Sequence, residues 1–114
     1  MKYIIYLWAV TSILTACTSK TEPNQSQVMD PKSNLIAQGK KIYAQNCIAC
    51  HNPNPKLDGA IGPAVSGSSL ELLNARVIHA KYPANYKAKR DTHLMPALPG
   101  LETEIPALNA FLNQ

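Results

Sequence analysis

The hydrophobic pattern divides the chain into stretches of different character. An uncharged, mostly apolar run covers residues 3–14, with Lys2 before it and Thr15, Ala16 and Cys17 after it. That is the layout of a secretory signal peptide, and the run is too short to span a bilayer comfortably. Residues 18–34 are polar, contain two prolines and show little apolar periodicity, so they read as a tether. Leu35, Ile36, Gly39, Ile42, Tyr43 and Cys47 then recur at spacings of three and four, predicting a helix over 35–46 with Ser33 or Asn34 as its cap. A glycine inside a helix costs about 1 kcal/mol relative to alanine, and Gly39 therefore suggests close approach of another element.

Residues 52–69 are punctuated by Pro53, Pro55, Gly59, Gly62, Pro63 and Gly67, and read as loop. Ser68 and Glu71 have the spacing of a capping box, predicting a helix over 69–81 that ends before Pro83 and buries Leu70, Leu73, Val77 and Ala80. His79 falls off that side and reads as a surface residue. After an irregular stretch over 82–101, centred on His93-Leu94-Met95-Pro96, a last helix is predicted over 104–113. Thr103 would cap it, Pro106 would sit in its first turn, and Ile105, Leu108, Phe111 and Leu112 would form its apolar face. With no repeats and no sheet signal, the fold class is all-α, three or so helices joined by long loops.

At 114 residues the chain allows one domain, and 46% hydrophobic with 16% charged residues is ordinary for a globular protein. The formal charge of +4 falls to +3 without Lys2, which says little about partners, and no nucleic-acid partner is expected. Distribution says more: Lys81, Lys87, Lys89 and Arg90 lie close together, either to steer an acidic partner or as a solvated face.

The densest chemistry is Cys47-Ile48-Ala49-Cys50-His51. Two thiols three positions apart can each add across a vinyl group of a haem, and the following histidine can face the iron, so the string reads as a c-type haem attachment site. A structural zinc site would want a second Cys/His pair, which is lacking, and a thioredoxin-like pair would be accompanied by valine- or isoleucine-rich strands. One haem c per chain would also explain the long loops, because the porphyrin adds apolar core to a domain of about 80 residues, a size at which burial is marginal. Little stable structure is expected without it.

Leu14-Thr15-Ala16-Cys17 resembles the lipobox of bacterial lipoproteins. The resemblance implies removal of residues 1–16, acylation of Cys17, a tether over 17–34 and a folded domain over 35–114, facing the periplasm from a membrane of the cell envelope. Cys17 has no partner for a disulfide if Cys47 and Cys50 hold haem.

Over 35–112 the chain resembles small monohaem class I cytochromes c. The matching positions are Gly39 and Tyr43, then Cys47, Cys50 and His51, then Gly62-Pro63, then Met95-Pro96, and finally Leu108 and Phe111. The resemblance implies that the first and last helices cross closely at Gly39, with Tyr43 against Leu108, Phe111 and Leu112. It implies that the Pro63 carbonyl accepts a hydrogen bond from His51, and that Met95 is the second axial ligand. His93, two residues away, is the competing ligand. Asn52-Pro53-Asn54-Pro55 departs from the family's glycine-containing turn. The expected function is that of a monomeric, lipid-anchored single-electron carrier serving redox proteins of a respiratory chain, and not an enzyme. The rivals are a haem enzyme or gas sensor with an open distal site, and an accessory subunit of a larger oxidase or reductase.

Overall fold

A computed structural model describes residues 30–114. The expected signal segment, the Cys17 acylation site, Met29 and the tether up to residue 29 lie outside the described residues. Three helices make the fold: α1 (Pro31–Asn46), α2 (Leu70–Leu73, continuing as a π-helical turn, Asn74–Ile78) and α3 (Ile105–Leu112), the last entered through a 3-10 turn, Pro99–Glu104. No strand occurs among the described residues, and no helix among them is long and apolar enough to cross a membrane.

Helix α1 starts at Pro31 rather than at residue 35, so residues 31–34 are helical. The cause is a cap that the polar composition of this stretch conceals. Asp30 accepts from the backbone N–H groups of Lys32 (2.8 Å) and Ser33 (3.3 Å), and the Ser33 hydroxyl donates to its other oxygen (2.6 Å). These bonds hold the Asp30 carboxyl below its ordinary pKa, the Ser33 hydroxyl most of all. Pro31 opens the helix without loss, because the first N–H has no helical acceptor.

The buried face of α1 is Gly39, Ile42 and Tyr43, and it lies against α3. A Cβ at Gly39 would overlap the Ala107 carbonyl and crowd the Phe111 Cβ, so the two backbones meet at a distance only glycine permits. Beside it the Tyr43 and Phe111 rings pack tilted at 47°, with centroids 5.4 Å apart. Ile105, Leu108, Phe111 and Leu112 are all buried, as their periodicity predicts. Thr103 does not cap α3; the N-cap position, Glu104, makes no side-chain capping bond, and the 3-10 turn leads into the helix instead.

Helix α2 departs further from expectation. Ser69, not Ser68, is the cap and accepts from Leu72 N–H (3.1 Å), while the buried Ser68 hydroxyl turns back to donate to the Val65 carbonyl (2.6 Å). The π-helical turn widens the register, so Ile78 joins Leu73 and Val77 inside; Arg76 is buried too, whereas Leu70 is 48% exposed. The helix closes at His79, before Pro83 is reached. Ala80 takes a left-handed φ of 53° and the Lys81 N–H returns to the Ala75 carbonyl (2.9 Å). His79 is exposed, as expected.

Two tests follow from the α1–α3 contact. Gly39→Ala should lower stability by about 1–3 kcal/mol, read as a drop in the thermal midpoint, because the added methyl forces the helices apart. Tyr43 donates to the Asn52 carbonyl (2.7 Å), and burial, reinforced by the neighbouring Cys47, raises its pKa from 10.0 to about 12. The folded state thus disfavours the phenolate: the stability this contributes is complete below pH 10.0 and lost as pH rises towards about 12. Tyr43→Phe should flatten that alkaline decline while costing about 0.5–1.5 kcal/mol at neutral pH, both measured by urea unfolding.

Candidate functional site

Where α1 ends, the chain makes one more tight turn. The Cys47 carbonyl accepts from the N–H groups of Cys50 (3.1 Å) and His51 (2.9 Å), which brings the two thiols and the imidazole onto one side. All three line a cavity of about 250 Å³, walled by apolar side chains that include Leu73, Val77, Leu108 and Leu112. A larger, open depression of about 450 Å³ beside Phe111 and Gln114 contains no Cys, His or Met side chain. Both thiols are free. Burial, with Cys50 adding to it, pushes the Cys47 thiol up to about 11. A redox-active pair wants a stabilised thiolate, which this environment does not favour. No group of three or more His, Cys, Asp or Glu side chains that could hold a metal occurs among the described residues.

His51 is held from behind. Its Nδ1–H donates to the Pro63 carbonyl (2.8 Å), since a carbonyl can only accept. That tautomer leaves the lone pair on Nε2. Gly62 makes the contact possible, because a Cβ there would overlap the imidazole ring itself. The loop before it folds onto the thiol-bearing turn: the N–H groups of Ile61 (3.3 Å) and Gly62 (2.9 Å) donate to the Cys50 carbonyl, and Gly59 N–H donates to the Gly62 carbonyl (2.9 Å).

The Asn-Pro-Asn-Pro stretch needs no glycine to turn. The Asn52 side chain accepts from Asn54 N–H (2.9 Å), and the Asn54 side chain accepts from Lys56 N–H (3.1 Å), giving two successive Asx turns. Farther on, Asp58 accepts from Ala64 N–H (2.7 Å). That bond does most to hold its carboxyl below the ordinary value, against desolvation and with help from Arg90.

Met95 lies in the irregular stretch between α2 and α3. It is partly buried against the core cluster and lines the 250 Å³ cavity together with Cys47, Cys50 and His51. It also lines two adjoining spaces of about 90 and 40 Å³ that His51 shares. His93 is exposed and lines none of the three. The Met95 loop is fastened at its far side, where Leu98 N–H donates to the Val77 carbonyl in the π-helical turn (2.6 Å).

Two features of this region escape sequence reasoning. Arg76 is buried, 9% exposed, beside the 90 Å³ space; it donates to the Ala80 carbonyl (2.7 Å) and its guanidinium lies 4.4 Å from the centre of the Tyr82 ring. Tyr82 in turn stacks on Tyr86 with centroids 5.4 Å apart. No carboxylate pairs with Arg76 among the described residues. On a regular α-helix Arg76 already stands one turn from Leu73, beside the Leu73–Val77 face; what hides its burial is its charge, since an unpaired cation is seldom inside. The second is the use made of the basic cluster. Lys81 and Lys87 are exposed, but Lys89 donates to the Ala64 carbonyl (2.8 Å), and Arg90 donates to the carbonyls of Ile61 (2.8 Å) and Gly59 (3.2 Å).

No curated protein matches the chain. The family model described as cytochrome c matches residues 36–114, which takes in α1 from its second turn, the Cys47–His51 turn, the Met95 loop and α3. The chain therefore belongs to the cytochrome c family, whose members bind covalently attached haem c with its iron and transfer electrons.

Proposed function

We propose that this protein is a single-electron carrier in which Cys47 and Cys50 hold one haem c and His51 and Met95 are the axial ligands of its iron. The observation that carries the reading is that both thiols, the imidazole and one thioether line a single apolar cavity. The residues fit the group in three further respects. His51 offers an unprotonated Nε2 because Nδ1 is engaged with Pro63. The walls are hydrophobic, as a porphyrin requires. Arg76, a buried cation with no carboxylate partner among the described residues, would receive one of the two haem carboxylates.

Once attached, haem supplies a ferric/ferrous couple. The chain supplies the rest. The Pro63 carbonyl fixes the tautomer and ring plane of His51, and so the donor strength of Nε2. The Met95 thioether would be the second ligand to the iron, a donor that favours the ferrous state. Leu73, Val77, Leu108 and Leu112 exclude water, which limits the reorganisation that accompanies a change of charge.

Met95→Ala tests the ligation. The wild-type ferric protein should show the weak near-infrared band of sulfur-to-iron charge transfer and should not bind carbon monoxide when reduced. The variant should lose the band and bind carbon monoxide. A wild-type protein without the band that binds carbon monoxide readily would favour an enzyme or gas sensor instead.

In the same reading the carrier is a monomer held at the periplasmic side of a cell-envelope membrane by acylated Cys17, and it exchanges electrons with redox proteins of a respiratory chain. The support is the lipobox-like Leu14-Thr15-Ala16-Cys17. Each buried methylene contributes about 0.8 kcal/mol, so two or three acyl chains anchor durably where one is marginal. Cys17→Ser should shift the protein from the membrane to the soluble fraction, and mass spectrometry of the wild-type amino terminus should find acyl chains.

A further inference from the structure

Arg90 stands in the stretch between α2 and Met95, yet its side chain is committed to the opposite loop. Nη1 donates to the Ile61 carbonyl (2.8 Å) and Nη2 to the Gly59 carbonyl (3.2 Å). Nη2 also lies 3.5 Å from Asp58, whose other oxygen takes the Ala64 N–H (2.7 Å). Gly59 and Ile61 belong to the short loop whose next residues, Gly62 and Pro63, press on and hydrogen-bond to His51. Lys89 adds one more tie, to the Ala64 carbonyl (2.8 Å).

We propose that Arg90 is a positioning residue for both axial positions: its guanidinium ties the loop carrying Pro63 to the loop carrying Met95, and so holds His51 and Met95 in a fixed relation. The inference rests on the reading of Met95 as a ligand. Three physical points support it. A guanidinium presents its donors in a rigid fork, which can bridge two carbonyls where an ammonium offers a point charge on a flexible stem. Both acceptors are backbone atoms, so the bonds fix the path of the loop itself. The charged hydrogen bonds are the strong part of the arrangement, because Asp58 is 66% exposed and an exposed pair at 3.5 Å adds little. Both segments are irregular, and beside such ties the Leu98–Val77 bond and the packing of Met95 and Leu98 on the core hold the ligand loop in place.

The test uses the haem-loaded protein with Arg90→Gln, Arg90→Lys and Asp58→Asn, well below their unfolding temperatures. The distal readout is imidazole binding to the ferric iron, which requires Met95 to leave. The proximal readout is the exchange rate of the His51 Nδ1–H proton by NMR. Arg90→Gln should raise both imidazole affinity and exchange rate by about tenfold or more, the scale of losing one charge-assisted hydrogen bond. Arg90→Lys should recover part of each, and Asp58→Asn should change each by much less. The proposal is overturned if Arg90→Gln lowers only the thermal midpoint, if it moves one readout without the other, or if Asp58→Asn reproduces its full effect. A wild-type protein without the sulfur-to-iron band refutes the Met95 reading by itself. The Nδ1–H exchange then decides the bridge, which fails if Arg90→Gln leaves that rate unchanged.

Discussion

The closeness of α1 to α3 at Gly39 is the constraint on which the remaining geometry depends. With no side chain at that position, the α1 backbone reaches the Ala107 carbonyl, and Tyr43 then meets Phe111 one turn farther along. The same crossing fixes where α1 points when it ends. Its last turn leads directly into Cys47, and the thiols face a wall built by Leu108 and Leu112 of α3. A wider crossing would move the attachment turn away from that wall while leaving both helices intact. Fold and site are therefore one packing problem, in keeping with a small domain that has little core to spare.

Beyond the helices, order comes from hydrogen bonds between irregular segments. Asx turns shape residues 52–56, Asp58 closes on Ala64, and the Asn109 and Asn113 side chains both reach the Ser68 carbonyl (3.0 and 2.9 Å). Long connections in a compact domain need such support, since their backbone groups have no ladder to join. Pro63, which holds His51, and Met95 both lie on connections of this kind, which explains how a largely non-helical region can hold side chains in defined positions.

What could be read from residue order was whatever depends on local spacing or on one chemical motif. The apolar face of α3, the close approach at Gly39, the exposed His79 and the grouping of Cys47, Cys50 and His51 are of this kind. What could not be read depends on competition between neighbours. Asp30 outcompetes Ser33 and Asn34 as the cap because Pro31 follows it, and Ser69 replaces Ser68 because Ser68 has a buried acceptor in Val65. The basic cluster reads as a surface field until the partners of Lys89 and Arg90 are seen, and those partners are backbone carbonyls that carry no signature in the sequence. Arg76 stands three residues after Leu73, beside the apolar face, and its burial is hidden by its charge and not by its position.

The π-helical turn at Asn74–Ile78 has a meaning for the history of the chain as well as for its packing. Such a turn is what an α-helix becomes when it absorbs one extra residue without giving up the contacts on either side. Here the contacts before it belong to Leu73 and those after it to Val77 and Ile78, with the Val77 carbonyl free to hold the Met95 loop. A relative lacking one residue in this segment would carry a regular helix, with everything beyond rotated by about 100°. Ile78, five residues after Leu73, would then face another way, so a gap in this segment of an alignment would mark a change in what the helix buries, not a neutral change of length.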